Sequence, residues 1–191
     1  MPTLQIIVAS SRNGRSGHLV AAWFERIARD HGAFDVEVID LKEVDLPMMD
    51  EPNHPRLRQY QYEHTKAWSA TVQRADAYVF VTPEYNYGPP PALVNALDYV
   101  VHEWAYKPAG FVSYGGVSGG TRGAQMTKQI VTALKMMPML ESVALPFFAQ
   151  SIKPDVGFQP PDTQRDAARL MLDELLRWSN ALKVLRAPKA S

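Results

Sequence analysis

Apolar residues along the chain switch between two periods. Leu4-Gln5-Ile6-Ile7-Val8-Ala9 is a short, β-branched run of the kind buried on both faces of a parallel sheet. From about His18 to His31 the spacing becomes helical, with Val20, Phe24, Ile27 and Ala28 on one face and Gly32 as the stop. The alternation then continues with a strand over Phe34–Leu41, a helix over about Thr65–Arg74 and a strand over Ala75–Val81. A helix from Pro90 to about Glu103 leads to a strand over Pro108–Tyr114. Next come a helix over Gly123–Met137, stopped by Pro138, and a strand over Leu140–Phe148. A proline-rich connection ends at Asp162, a good N-cap, and opens the last helix, to about Leu185. Strands alternating with helices five times predict an α/β fold: an open five-stranded parallel sheet, order 2-1-3-4-5, with helices on both faces. No repeat or linker divides the pattern, so residues 1–186 read as a single domain and 187–191 as a flexible tail.

Composition narrows the function. The chain has 191 residues, 46% hydrophobic and 21% charged, which is ordinary for a globular protein. Twenty basic residues balance twenty acidic ones. No global field recommends nucleic acid or an anionic membrane surface, and none suits an electron carrier that docks by charge. The absence of cysteine excludes disulfides, thiolate catalysis and thiolate metal sites. The five histidines show no metal-ligand spacing and read as surface or structural, so no metal is expected. With no basic leader ahead of the first strand and no apolar run of ~18 residues, a soluble cytoplasmic protein is the expectation.

In sheets of this order, ligands bind beyond the carboxyl ends of the strands, between the first and third. Those strands end here in unusual polar stretches, and the fourth, next to the third, ends in a glycine-rich one. Ser10 to Gly17 offers the hydroxyls of Ser10, Ser11 and Ser16 and the guanidiniums of Arg12 and Arg15 just before a helix N-terminus. Free backbone N–H groups and the helix dipole favour an anion there, and arginine adds charge-assisted contacts to a phosphate. The loop matches neither the dinucleotide fingerprint nor the nucleoside-triphosphate loop. Thr82-Pro83-Glu84-Tyr85-Asn86-Tyr87-Gly88 ends the third strand with polar groups suited to the edge of a planar heterocycle. Glu84 has no carboxylate partner that would mark it as a general acid or base. Residues 114–123 hold five glycines in ten positions, which permits close backbone approach to a ligand.

Together these pieces resemble the NAD(P)H-dependent FMN reductase family of flavodoxin-like proteins, which includes quinone, azo-dye and chromate reductases. The match is to S-x-R-x-G-R-x-G over Ser10–Gly17, to T-P-E-Y-N-x-G-x-P-x-x-L-x-N-A-L-D-Y over Thr82–Tyr99, and to K-P-x-G-F-V-S-Y-G-G-x-S-G-G over Lys107–Gly120. His64-Thr65, Trp68-Ser69 and Leu46-Pro47 also look like that family, and the resemblance spans about residues 4 to 150. Family members usually carry glycine where this chain has Ala9, which narrows the backbone freedom before the phosphate loop.

The resemblance implies a flavodoxin-like fold with non-covalent FMN. Its phosphate would lie on Ser10, Arg12, Arg15 and Ser16, and its isoalloxazine edge would meet Pro83, Glu84, Tyr85 and Asn86. Tyr114, Gly115, Gly116 and Ser118 would flank the ring, and Arg15 or Arg122 would engage the 2′-phosphate of NADPH. A flavin carries its own hydride chemistry, which accounts for the lack of any nucleophile or triad. The implied activity is ping-pong transfer from NADPH or NADH to a small acceptor: free flavin, quinone, azo compound or chromate. The alternative is an FMN-binding electron-transfer or regulatory protein without nicotinamide turnover. A homodimer or dimer of dimers is expected, and the aromatic set Tyr60, Tyr62, Trp68 and Trp104 serves either its interface or the core of one chain.

Overall fold

Strands β1 (Thr3–Val8), β2 (Asp35–Asp40), β3 (Ala77–Pro83), β4 (Pro108–Tyr114) and β5 (Met137–Pro138) lie in the order β2-β1-β3-β4-β5 in the computed structural model, which describes residues 1–186. Every pairing in this sheet is parallel. The expected tail, 187–191, lies outside the described residues. Helices α1 (Gly17–His31), α3 (Glu63–Gln73), α4 (Pro91–Asp98), α5 (Thr121–Ala133) and α6 (Asp162–Arg186) fall close to the predicted spans. A short helix α2 (Leu41–Val44) was too brief to show in the periodicity.

Alternation along the strands builds two cores. Leu4, Ile6 and Val8 of β1 and Val79 and Val81 of β3 face α1 and α6, against Val20, Phe24, Met171 and Leu175. Ile7, Ala9, Tyr78, Phe80 and Phe111 face the opposite side, against Leu93, Leu97 and Val131. The sheet is therefore covered on both faces, which is why its strands read as unbroken apolar runs. Ala9 sits in the second core, wholly buried, and donates its N–H to Val81 O at 3.0 Å. Its methyl group fills space there and the backbone does not enter the left-handed region.

The predicted fifth strand, 140–148, is corrected. Its place beside β4 is shared by β5 and a second short strand, β6 (Val143–Leu145). Three steps of β4 separate Ala109 from Val112, whereas five separate their partners Pro138 and Val143. The two surplus residues loop outward and leave Leu140 85% exposed. Two other spans end early. α4 stops at Asp98, and α5 stops at Ala133, just before Lys135 turns left-handed at φ 61° without a glycine to announce it. The proline-rich connection holds an antiparallel hairpin, β7 (Ile152–Lys153) with β8 (Gly157–Phe158), whose Phe158 ring packs edge-on against Trp23.

Trp68 and Trp104 are core residues: they are 2% and 0% exposed and meet at a 6.0 Å centroid distance. Their indole N–H groups donate to Ala96 O and Leu97 O at 2.9 and 3.2 Å. Tyr60 turns its hydroxyl to the carboxylate of Glu103, whereas Tyr62 stays exposed and stacks on His64. Of the two readings of this aromatic set, the two tryptophans follow the single-chain one.

Candidate functional site

Because β1, β3 and β4 are adjacent and parallel, their carboxyl-terminal loops meet at one edge of the sheet. The meeting place is a cleft of about 380 Å³. Ser10, Arg12, Arg15 and Ser16 line it from the first loop, Pro83, Glu84 and Tyr85 from the second. Tyr114, Gly115 and Gly116 complete the wall from the third.

At the first loop α1 begins with Gly17, and Ser16 makes no side-chain cap, so the N–H groups of the first turn have no side-chain acceptor. The two arginines are placed differently. Arg15 forms a bidentate pair with Asp40 at the end of β2, at 2.7 and 2.6 Å, and donates to Ser10 O at 2.8 Å. Both partners are largely buried, and the pair ties the loop to β2. The Arg12 side chain is exposed and has no hydrogen-bond or ion-pair partner among the described residues, while its backbone carbonyl accepts from Arg15 N–H at 3.2 Å. Ser10, 1% exposed, shares a hydrogen bond of 2.7 Å with the Tyr85 hydroxyl and so joins the first loop to the second. Gly17 lets α1 approach this junction: a methyl group there would collide with the Tyr114 hydroxyl. Burial, with the neighbouring Tyr85 phenol, raises Tyr114 above the usual phenol range against the pull of Ser10, Arg15 and Arg12, so it remains a neutral hydroxyl.

Beyond Pro83 the chain makes a two-residue turn. Tyr85 and Gly88 exchange both backbone hydrogen bonds at 2.9 Å, with Asn86 and Tyr87 left-handed at φ 49° and 71°. This type I′ geometry suits asparagine and strains tyrosine. Asn86 is exposed on this turn and is not part of the cleft lining. Glu84 takes 2.7 Å and 3.1 Å hydrogen bonds from the Arg122 side chain and backbone, and one of 3.0 Å from Ser118. Burial alone would raise its carboxyl; the bonds from Arg122 and Ser118 and the Arg122 charge outweigh it and hold Glu84 below the ordinary glutamate value. The Arg122 guanidinium also stacks on the Tyr87 ring at 3.8 Å. Glu84 thus acts as a clasp between two loops, and Ser118 serves that clasp from outside the cleft lining.

Ten of the twelve residues expected around a flavin line one cleft, with Asn86 and Ser118 outside it. Both arginines considered for a 2′-phosphate are paired with carboxylates. The Arg122 side chain is 41% exposed and that of Arg15 12%. Sequence reasoning missed a fourth wall, Phe147 to Gln150, which follows β6. Phe147-Phe148 looked like the end of a strand, and only the left-handed Phe147 backbone redirects it.

An open parallel sheet of this order, with an anion-ready helix start and a cleft at its switch point, defines a flavodoxin-like nucleotide-binding protein. The model of the NADPH-dependent FMN reductase family matches residues 2–150. An NAD(P)H-dependent FMN reductase of Schizosaccharomyces pombe is 41% identical over 149 residues, 76% of this chain and 74% of the relative. An NADPH:quinone oxidoreductase of Arabidopsis thaliana is 33% identical over 115 residues, 59% and 54% of the two chains. In structure the chain is similar to FerB, a flavoenzyme NAD(P)H:(acceptor) oxidoreductase from Paracoccus denitrificans, with TM-score 0.76, 20% identity and coverage of 95% and 98%. The chain belongs to the NADPH-dependent FMN reductase family, a family of FMN-containing oxidoreductases. The residues present fit that cofactor: an unpaired Arg12 stands beside an uncapped helix start, and a Cβ built on Gly116 would meet nothing within 4 Å on the cleft wall.

Proposed function

We propose that the protein takes hydride from NADPH or NADH and reduces a small acceptor by a ping-pong cycle, with free flavin, quinones, azo compounds and chromate as the candidate acceptors. The observation that carries this reading is the convergence of three loops, distant in sequence, on one cleft with a phosphate-ready end and an aromatic, glycine-lined end. When bound, FMN supplies the hydride chemistry, so the chain's task is to hold, orient and shield it. Arg12, Ser16 and the first N–H groups of α1 hold the phosphate, while Arg15 reaches it only through the loop that it braces on Asp40. Pro83, Glu84 and Tyr85 on one side, with Tyr114, Gly115 and Gly116 on the other, embrace the ring. Asn86 and Ser118 act at one remove, by shaping the turn and fastening Glu84. Arg122, the more exposed of the two paired arginines, is the candidate contact to a 2′-phosphate.

The test is a titration of the purified protein with FMN, followed by anaerobic addition of NADPH or NADH. Bound flavin that is then bleached supports the proposal. Colour that persists would leave a flavin-binding protein without nicotinamide turnover, and no measurable FMN affinity would refute the reading.

A further inference from the structure

Two consecutive phenylalanines follow β6 and are used in opposite ways. Phe148 turns its ring onto Tyr114, edge-on with centroids 4.8 Å apart. Phe147 adopts a left-handed backbone, φ 48° and ψ 36°, and remains 50% exposed on the wall of the cleft. A bulky side chain with positive φ is strained, and such strain persists only where the surroundings enforce it. Here they do. Phe147 N–H donates to Gly116 O at 3.0 Å and Phe148 N–H to Gly115 O at 3.4 Å, which fastens the segment to the third loop of the site. Gln150 N–H closes the turn on Phe147 O at 2.9 Å. Among the described residues Phe147 is the only large apolar side chain that is both exposed and part of the cleft lining.

We propose that Phe147 is a specificity-determining residue, whose ring is the surface on which a planar aromatic acceptor of the quinone class lies. The inference rests on the oxidoreductase reading above. An aromatic ring standing on the wall of the cleft gives offset stacking to a flat partner and nothing to a compact inorganic oxidant. Phe148, locked on Tyr114, carries the fold, and Phe147 is left free to meet ligand.

The experiment uses the FMN-loaded protein with Phe147→Ala, Phe147→Trp and Phe147→Gly, and two acceptors: a naphthoquinone, which is flat, and ferricyanide, which is not. Phe147→Ala is expected to raise KM for the quinone roughly 2- to 12-fold, the span of one aromatic pair. With flavin saturating, the quinone KM should rise several-fold more than that for ferricyanide, and Phe147→Trp should keep the quinone KM. A second readout needs no turnover: the shift of flavin absorbance as quinone is added to the oxidised protein should require higher quinone in Phe147→Ala. Glycine accepts a positive φ, so Phe147→Gly should lose quinone recognition without lowering the unfolding midpoint. An unchanged quinone KM or an equal effect on ferricyanide in Phe147→Ala would each overturn the assignment. A wild-type protein that fails to bind FMN, or binds it and is not bleached, instead overturns the oxidoreductase reading itself.

Discussion

Arg12 and Arg15 stand three residues apart in one loop, and the structure assigns them opposite sensitivities. The Arg12 side chain has no partner among the described residues, so Arg12→Ala should leave the unfolding midpoint of the flavin-free protein unchanged. What it removes is a charge-assisted contact to phosphate, about 1.5–3 kcal/mol. At 1.4 kcal/mol per decade, the FMN dissociation constant should rise roughly 10- to 150-fold. Arg15→Ala breaks two bonds to Asp40 and one to Ser10 O, and leaves a carboxylate whose side chain is only 19% exposed without its counter-charge. That loss should be about 1–3 kcal/mol of stability, less than for a fully buried pair because water still reaches Asp40. Asp40→Asn should recover part of it in the Arg15→Ala background, since an uncharged amide needs no cation. Urea unfolding must be run without FMN, because bound ligand stabilises by mass action and would blur the two effects. Flavin-fluorescence quenching then gives the dissociation constants. Equal destabilisation by the two substitutions, or an FMN affinity untouched by Arg12→Ala, would refute this division of labour.

Other outcomes follow from single contacts. Gly17→Ala should lower stability by about 1–3 kcal/mol through its overlap with the Tyr114 hydroxyl, and Tyr114→Phe in the same chain should restore much of it on thermal melts. Lys107 is 3% exposed; burial, reinforced by Arg186, lowers its pKa to about 7 against the opposing pull of Asp76 and Glu103. Between pH 7 and its unfolded value near 10.5 the unfolded chain then binds more protons, so this group makes stability rise with pH over that window. Urea midpoints measured across that range should lose this rise in Lys107→Met. Trp104→Ala should cost about 3–5 kcal/mol in the same assay, since the fully buried ring packs on Trp68, Tyr78 and Phe80.

The sheet order, the paired cores and the three-loop cleft were legible because each rests on a local signal. β-branched runs mark the doubly covered strands, and the polar stretch after each strand lands where topology dictates. What escaped depended on conformations with no sequence mark. Lys135 and Phe147 turn left-handed without glycine, which shortened α5 and swung a new wall into the cleft. Asn86 was expected at a ring edge; asparagine also suits a left-handed turn, and here it occupies one and is exposed. Arg15 looked as available as Arg12 because its partner, Asp40, lies 25 residues away at the end of β2. Spacing records residue types within a loop and says little about which of them a distant strand has already engaged.

The family match ends at residue 150, yet Ala168, Met171, Leu172 and Leu175 of α6 are wholly buried in the first core. Gly110 of β4 leaves them room, for a methyl group there would stand 2.8 Å from Met171 Sδ. The segment beyond the family match is therefore a cover that shares one face of the sheet with α1. Cutting the protein at the border of its family resemblance would uncover the part of that face lying under α6 and leave its apolar side chains in water.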